Sequence, residues 1–365
     1  MKARIAIFML ATVLLLWACT AGGGSIYYTL ENEVKTTDNT LKNTIPIHGI
    51  TKLGTDYYVA AGSIWKGTLV PAPVNWDIST PITSPGDGAL CTALVEFGGN
   101  LYGGFITQSA NVGLYKANGP SPTTFAGGQI ADLLVVNKQV VLLAVVKSLS
   151  APELVVSTAI AGGDPYTYDL LVSTDGATYT SLLAATTTSL FTGVTHTTNK
   201  YWAVSGTSLY SGTGIGTLAI DASLVKSATT EVLTSVFSDN ETSHLFVTSN
   251  LGFVYYSDNE GATWTKNATA EKVGDATVKF LSVAGALGAG SMLVASDGYG
   301  YYVLTVAVPP TLARFAGSTI GLYSASVRKF LIDGSRLFAC TTSKGLWRNE
   351  SFTAADCTVG SWIQE

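Results

Sequence analysis

Apolar residues along this chain fall into short runs separated by Gly, Asn, Asp and Ser, and the same run keeps returning. A bulky pair followed by one further residue, usually small or basic, appears as Ile64-Trp65-Lys66, Leu114-Tyr115-Lys116, Leu171-Val172-Ser173, Leu209-Tyr210-Ser211, Tyr255-Tyr256-Ser257, Tyr301-Tyr302-Val303 and Leu346-Trp347-Arg348. The middle positions lie 38 to 57 residues apart, with a mean of 47. A second run precedes each copy, at 57–61, 101–106, 140–146, 201–205, 245–248, 292–295 and 337–341. A third precedes that one, at 47–53, 92–97, 133–136, 193–197, 233–237, 280–284 and 328–332. A shorter fourth follows the pair in places, as in Val74-Asn75-Trp76 and Trp264-Thr265-Lys266.

Runs of this length, rich in β-branched and aromatic residues and bounded by turn formers, predict strands. Three or four such strands repeating at this period predict propeller blades. The seven copies therefore predict an all-β, seven-bladed β-propeller of four-stranded antiparallel blades over residues 45–365. Two segments compete to close the ring as an outer strand of the last blade, Ile26–Leu30 and the region of Trp362.

The first residues follow a different pattern. Lys2 and Arg4 precede an apolar stretch from Ile5 to Trp17, the anatomy of an export signal and too short for an ordinary membrane span. Residues 1–18 are expected to be a signal peptide and 19–44 a linker. Leu16-Trp17-Ala18-Cys19 resembles the bacterial lipobox, with Trp17 where that motif has a small residue. The resemblance implies acylation of Cys19; an ordinary signal peptide with an incidental cysteine is the alternative. Thr20-Ala21-Gly22-Gly23-Gly24-Ser25 is a flexible spacer suited to holding a domain clear of a bilayer. The expected location is the bacterial cell envelope, lipid-anchored, with the outer membrane favoured.

Composition narrows the function classes. Charged residues are 12% and hydrophobic residues 47%, which excludes a disordered chain for most of the length. Lys and Arg number 20 against 25 Asp and Glu, a net charge of −5, so a nucleic-acid footprint is not expected. Beyond Cys19, the cysteines are Cys91, Cys340 and Cys357. Cys340 and Cys357 are candidates for a disulfide in an oxidising compartment.

Two turns resemble the Asp-box, or BNR repeat, of sialidase-like propellers. One is Ser257, Asn259, Gly261, Thr263 and Trp264; the other, a residue shorter, is Ser173, Asp175, Gly176 and Tyr179. Ser296-Asp297-Gly298 reads as a remnant. The role expected is structural: Asp or Asn folds back on nearby N–H groups and Gly supplies a left-handed residue. Sialidase chemistry, which in that family needs three arginines from different blades, is not expected. The arginines after residue 4 are Arg314, Arg328, Arg336 and Arg348, all near one end. They are candidates for a local basic patch, with scattered solvated charges the alternative.

Other chemistry has thin support. Glu96, Asp132 and Glu231 lie near inner strands and are candidates for a carboxylate pair at the channel mouth. His48, His196 and His244 fall in different blades without metal-ligand spacing. No cofactor and no metal are expected. The widest repeat spacing is read as an insertion, Lys147 to Asp169, between the second and third strands of the third blade. Its Asp164, Tyr166 and Tyr168 are candidates for partner contact, a self-packed hairpin being the alternative. The functional expectation is a monomeric, non-catalytic, lipid-anchored interaction scaffold for an envelope protein. The rival is a glycan-binding adhesin or carbohydrate-active enzyme using the propeller funnel.

Overall fold

Consecutive strands pair antiparallel and step outward, sheet after sheet, around a ring of seven blades. The computed structural model describes Leu41 and residues 46–365 apart from 69–74, 87, 107–110, 120, 126–129, 131–137, 148–150, 161–165, 239–242, 286–289, 316–321, 354–356 and 358–359. Cys19 and Ile26–Leu30 lie outside the described residues. The inner strands are Gly49–Leu53, Leu90–Phe97, Lys138–Lys147, Phe191–His196, Leu233–Phe237, Phe280–Ala284 and Val327–Asp333, and each touches the next around the channel, the first meeting the last. Three further strands follow each inner strand; in the second blade two of them are seen among the described residues.

The apolar runs are explained by what they pack against. Seven hydrophobic clusters occupy the seven seams between blades, one to a seam. Second strands serve two seams at once. In the strand Ser291–Ser296, Met292 and Val294 face the fifth blade while Leu293 and Ala295 face the seventh. With both faces buried, such a strand needs no polar alternation.

The third blade corrects the sequence reading. Val140–Val146 belongs to the inner strand, and the second strand is Pro152–Ile160, inside the stretch read as an insertion. Leu133–Val136, read as the inner strand, lies outside the described residues. Ser157 and Thr158, which make this segment look like a loop, are fully buried. The wide spacing arises from longer strands. The second and third strands pair from Ser173↔Leu154 to Thr167↔Ile160, whereas the fifth-blade pair runs only from Leu245↔Ser257 to Thr248↔Val254. Three more residue pairs at 3.3 Å per residue carry this hairpin roughly 10 Å further.

The cysteine pairing is also corrected. Cys340 and Cys357 are not joined to each other: Cys340 packs in the seam between the seventh and first blades and Cys357 in that between the sixth and seventh, while Cys91 lies buried between the first and second. Burial pushes the Cys91 and Cys340 thiols up to about 12, so neither is a nucleophile at neutral pH. Native protein at pH 8 should therefore react with Ellman's reagent at neither thiol, and denaturant should release both. Rapid native reaction would show that these seams open readily.

Ring closure falls to Trp362–Gln364, which pairs with Leu346–Asn349 as the outer strand of the last blade. Across the closing seam, Leu346 N donates to Leu41 O at 2.9 Å and Ile47 N to Thr341 O at 2.9 Å. Lys52 Nζ lies 2.8 Å from both oxygens of Asp333, and Tyr57 OH donates to the same carboxylate. Burial alone would raise the Asp333 pKa, but Lys52 and Tyr57 outweigh it and hold it below the usual range. A depressed carboxylate pKa gives stability that is complete above the unfolded value, near 4, and lost as pH falls below it. Asp333→Asn should lower Tm at pH 7 and flatten its decline between about pH 5 and 3. An unchanged acid limb would remove Asp333 from the seam's stability.

Candidate functional site

The channel is shaped by a defect repeated around the ring. Six of the seven inner strands carry a β-bulge at the same level, leaving Thr92, Val141, Thr192, Thr234, Leu281 and Arg328 as the extra residues. A bulge bends its strand and re-aims the neighbouring side chains. All six line a cavity of about 760 Å³ at the centre of the ring. The residues after them, Ala93, Leu142, Gly193, Ser235, Ser282 and Lys329, line it too. At Gly193 the neighbouring blade comes so close that a Cβ would stand 2.8 Å from Val236 N.

Each ring of bulge residues is uncharged except at one blade. Arg328 and Lys329 come from the seventh blade, Lys279 and Asp297 from the sixth, and His48 from the edge of the first. Lys279 Nζ lies 3.7 Å from Asp297, whose other oxygen accepts from Ser326 Oγ at 2.5 Å. Neither Arg328 nor Lys329 has a hydrogen bond or ion pair with any described residue. Both are open to the lumen, and removal from bulk water lowers the Lys329 pKa. Burial and then the Arg328 charge lower that of His48, leaving the imidazole neutral at pH 7. Across the ring, Val141, Leu142, Leu190, Phe191 and Val194 make an apolar wall.

This mouth lies on the face where second strands turn into third strands, as the place of Asp297 and Thr342 shows. The third-blade hairpin extends toward the same face, with Tyr166 at 55% exposure beside its tip. Tyr168 is not a free contact residue: it pairs with Ala159, donates its N–H to Thr187 O at 2.7 Å and packs on the seam to the fourth blade. Asp164 lies outside the described residues.

Two of the three carboxylates expected at the mouth are elsewhere. Glu231 is fully buried and accepts from Tyr255 OH at 2.8 Å and Ser227 N at 2.8 Å. Glu96 accepts from Gly99 N at 2.8 Å in the turn at the far end of its strand. Asp132 is outside the described residues. Asp297 is the one carboxylate among the described lining residues, and it was read as an Asp-box remnant; Ser296-Asp297-Gly298 instead opens the turn between second and third strands. Of the histidines, only His48 reaches the cavity. His196 packs edge-on to Tyr201 at 4.5 Å, and His244 lies 5.7 Å from Tyr256. Among the described residues no group of three His, Cys, Asp or Glu is placed to hold a metal.

The arginines form no single patch. Arg348 is 2% exposed and paired with Glu350 and Glu365, while Arg336 Nε reaches Glu350 at 2.8 Å. Arg314 lies 3.7 Å over the Tyr323 ring. Arg328 alone enters the channel.

The two sequence-singled turns join third to fourth strands, on the opposite face. Asp175 Oδ1 accepts from Ala177 N and Thr178 N, both at 2.8 Å, and from Ser173 Oγ at 2.9 Å. Those donors hold the carboxyl far below the usual range. Asn259 Oδ1 takes the same part, accepting from Thr263 N at 2.9 Å, while Ser257 Oγ accepts from Gly261 N at 2.9 Å. Tyr179 OH donates to Gly176 O at 3.2 Å, and Trp264 meets Trp202 edge-on at 6.2 Å. Every one of these groups is used within the fold.

No family model matches this chain, and no curated protein matches it. Solved structures do. YCF48 from Cyanidioschyzon merolae is similar with a TM-score of 0.52 and 12% identity, over 84% of this chain and 95% of that one. A structure of YCF48 bound to D1 peptide gives 0.52 and 14%, over 84% and 93%. The extracellular domain of the one-component system BT4673 from B. thetaiotaomicron gives 0.53 and 11%, over 85% of this chain and 39% of that one. At these identities the likeness establishes the fold: this chain is a seven-bladed β-propeller.

Proposed function

We propose that this protein is a non-catalytic interaction scaffold that receives a protein segment at the channel mouth, held at the bacterial envelope by acylation of Cys19. The observation that carries the reading is the lining of the mouth. It presents Arg328 and Lys329, which have no partner among the described residues, and an apolar wall, while its one described carboxylate is already held by Ser326 and Lys279. Among the described lining residues, glycoside hydrolysis by two carboxylates has no pair to work with. A similar propeller, YCF48, is described with a bound D1 peptide, which supports a peptide as the kind of ligand such a ring accepts.

A photo-crosslinking residue placed at Leu190 or Tyr166 should yield protein adducts in membranes, and one at Ala177 on the opposite face should not. Adducts at Ala177 alone would reverse the choice of face, and none at any position would end the scaffold reading. Mass spectrometry of the mature protein should find its N-terminus at Cys19 with acyl chains, and an unmodified product would remove the anchor.

A further inference from the structure

We infer that the channel mouth selects an acidic peptide segment, with a carboxylate seated on Arg328 and Lys329 and an adjoining apolar side chain against Val141, Leu142 and Leu190. This deepens the scaffold reading above and rests on it.

The cavity has polarity across its width. Its described lining residues include three cations, Lys279, Arg328 and Lys329, against one carboxylate, Asp297, in a chain whose overall charge is −5. Five blades offer Thr, Val or Leu where the seventh offers Arg328, and Ala, Leu, Gly or Ser where it offers Lys329. The bulge at Val327/Lys329 brings these two sequence neighbours to the same lumen, although a regular strand would send them to opposite faces. Neither cation has a counter-charge among the described residues, and an incoming carboxylate supplies one. A guanidinium and an ammonium together match a carboxylate, the guanidinium in a two-bond fork.

Size and wall chemistry argue for a peptide over a free small anion. The cavity, about 760 Å³, is far larger than one carboxylate and falls within the range of pockets that enclose drug-sized ligands. The blades opposite the cations, the third and fourth, supply Val141, Leu142 and Leu190, and Leu190 is 40% exposed. A small anion has nothing to place on that wall. An extended segment with Asp or Glu next to Leu, Val or Phe covers both sides.

The test is a selection of random hexapeptides displayed on phage against the full chain, followed by fluorescence anisotropy of the recovered peptides. Recovered sequences should be enriched in Asp or Glu within two residues of an apolar side chain. Arg328→Gln with Lys329→Gln should weaken their binding by about tenfold or more with Tm unchanged, the scale of a lost charge-assisted bond. The binding should also weaken with salt, and inorganic phosphate or acetate at millimolar concentration should not displace the peptide. Recovery of neutral peptides, or affinity indifferent to the double variant, would overturn the acidic-segment inference. Displacement by phosphate or acetate would overturn it in favour of a small-anion site. In those cases partner adducts at Leu190 would keep the scaffold reading standing; their absence from both wild type and double variant would remove that reading instead.

Discussion

Replacing Arg348 by methionine is expected to lower the unfolding free energy by about 3–5 kcal/mol, because the change strands buried carboxylate charge. Arg348 sits on the third strand of the last blade, between Phe338 and Ile363, and is 2% exposed. Its Nε pairs with Glu365, whose other oxygen accepts from Trp76 Nε1 of the first blade at 2.7 Å. Its Nη1 pairs with Glu350, which also holds Arg336. The guanidinium thus links the outer strand of the last blade to the first blade, at the seam where the ring closes. Without it, Glu350 keeps Arg336 and part of its solvent, but Glu365 at 6% exposure keeps, among the described residues, only the indole.

Urea denaturation can separate lost packing from stranded charge. If the stranded charge dominates, Glu365→Leu added to Arg348→Met should restore at least half of the loss, since a buried pair exchanged for apolar groups is often neutral. Arg336→Ala, which breaks a part-exposed pair, should cost about 1 kcal/mol or less. A loss below about 1 kcal/mol for Arg348→Met would mean that water reaches this seam.

The propeller was legible in the sequence because its second strands are buried on both faces. Leu245–Ser249 and Tyr201–Ser205 are buried at every position, so each blade leaves an apolar run whose period survives wide sequence variation. The third blade was not legible in detail. Leu154–Ile160 holds buried Ser157 and Thr158, and Val140–Val146 looks like any other second strand although its residues 141–144 line the channel. The turns around Asp175 and Asn259 were readable because their bonding is local, spanning two to four residues. The mouth was hidden for the opposite reason. It is assembled from all seven blades, and a bulge overrides the period-two rule that would have placed Arg328 and Lys329 on different faces. One signal was available: Val327-Arg328-Lys329 puts adjacent cations where the other inner strands carry small or apolar residues.

Gly261→Ala is expected to cost about 2–4 kcal/mol, the sum of left-handed backbone strain and overpacking. Gly261 has φ +76°, and a Cβ there would enter the ring of Trp202, reaching its Cζ2 at 2.9 Å. Trp202 belongs to the second strand of the preceding blade, is fully buried, and donates to Thr197 Oγ1 at 3.2 Å. The turn therefore acts as a wedge: its side-chain bonds fix the backbone so that a bare glycine can rest on the neighbouring blade's indole. Gly176 repeats the arrangement over Tyr102 of the second blade, so two seams use one device. Gly274 is the control, with φ +61° and nothing within 4 Å of a built Cβ. Gly274→Ala bears the strain alone and should cost about 1–2 kcal/mol. Trp202→Phe, which vacates part of the indole's space, should reduce the difference between the two alanine variants, because the smaller ring leaves room for the added methyl. Equal losses for Gly261→Ala and Gly274→Ala would mean that the turn needs only its backbone angle, and the wedge between blades would then carry no weight.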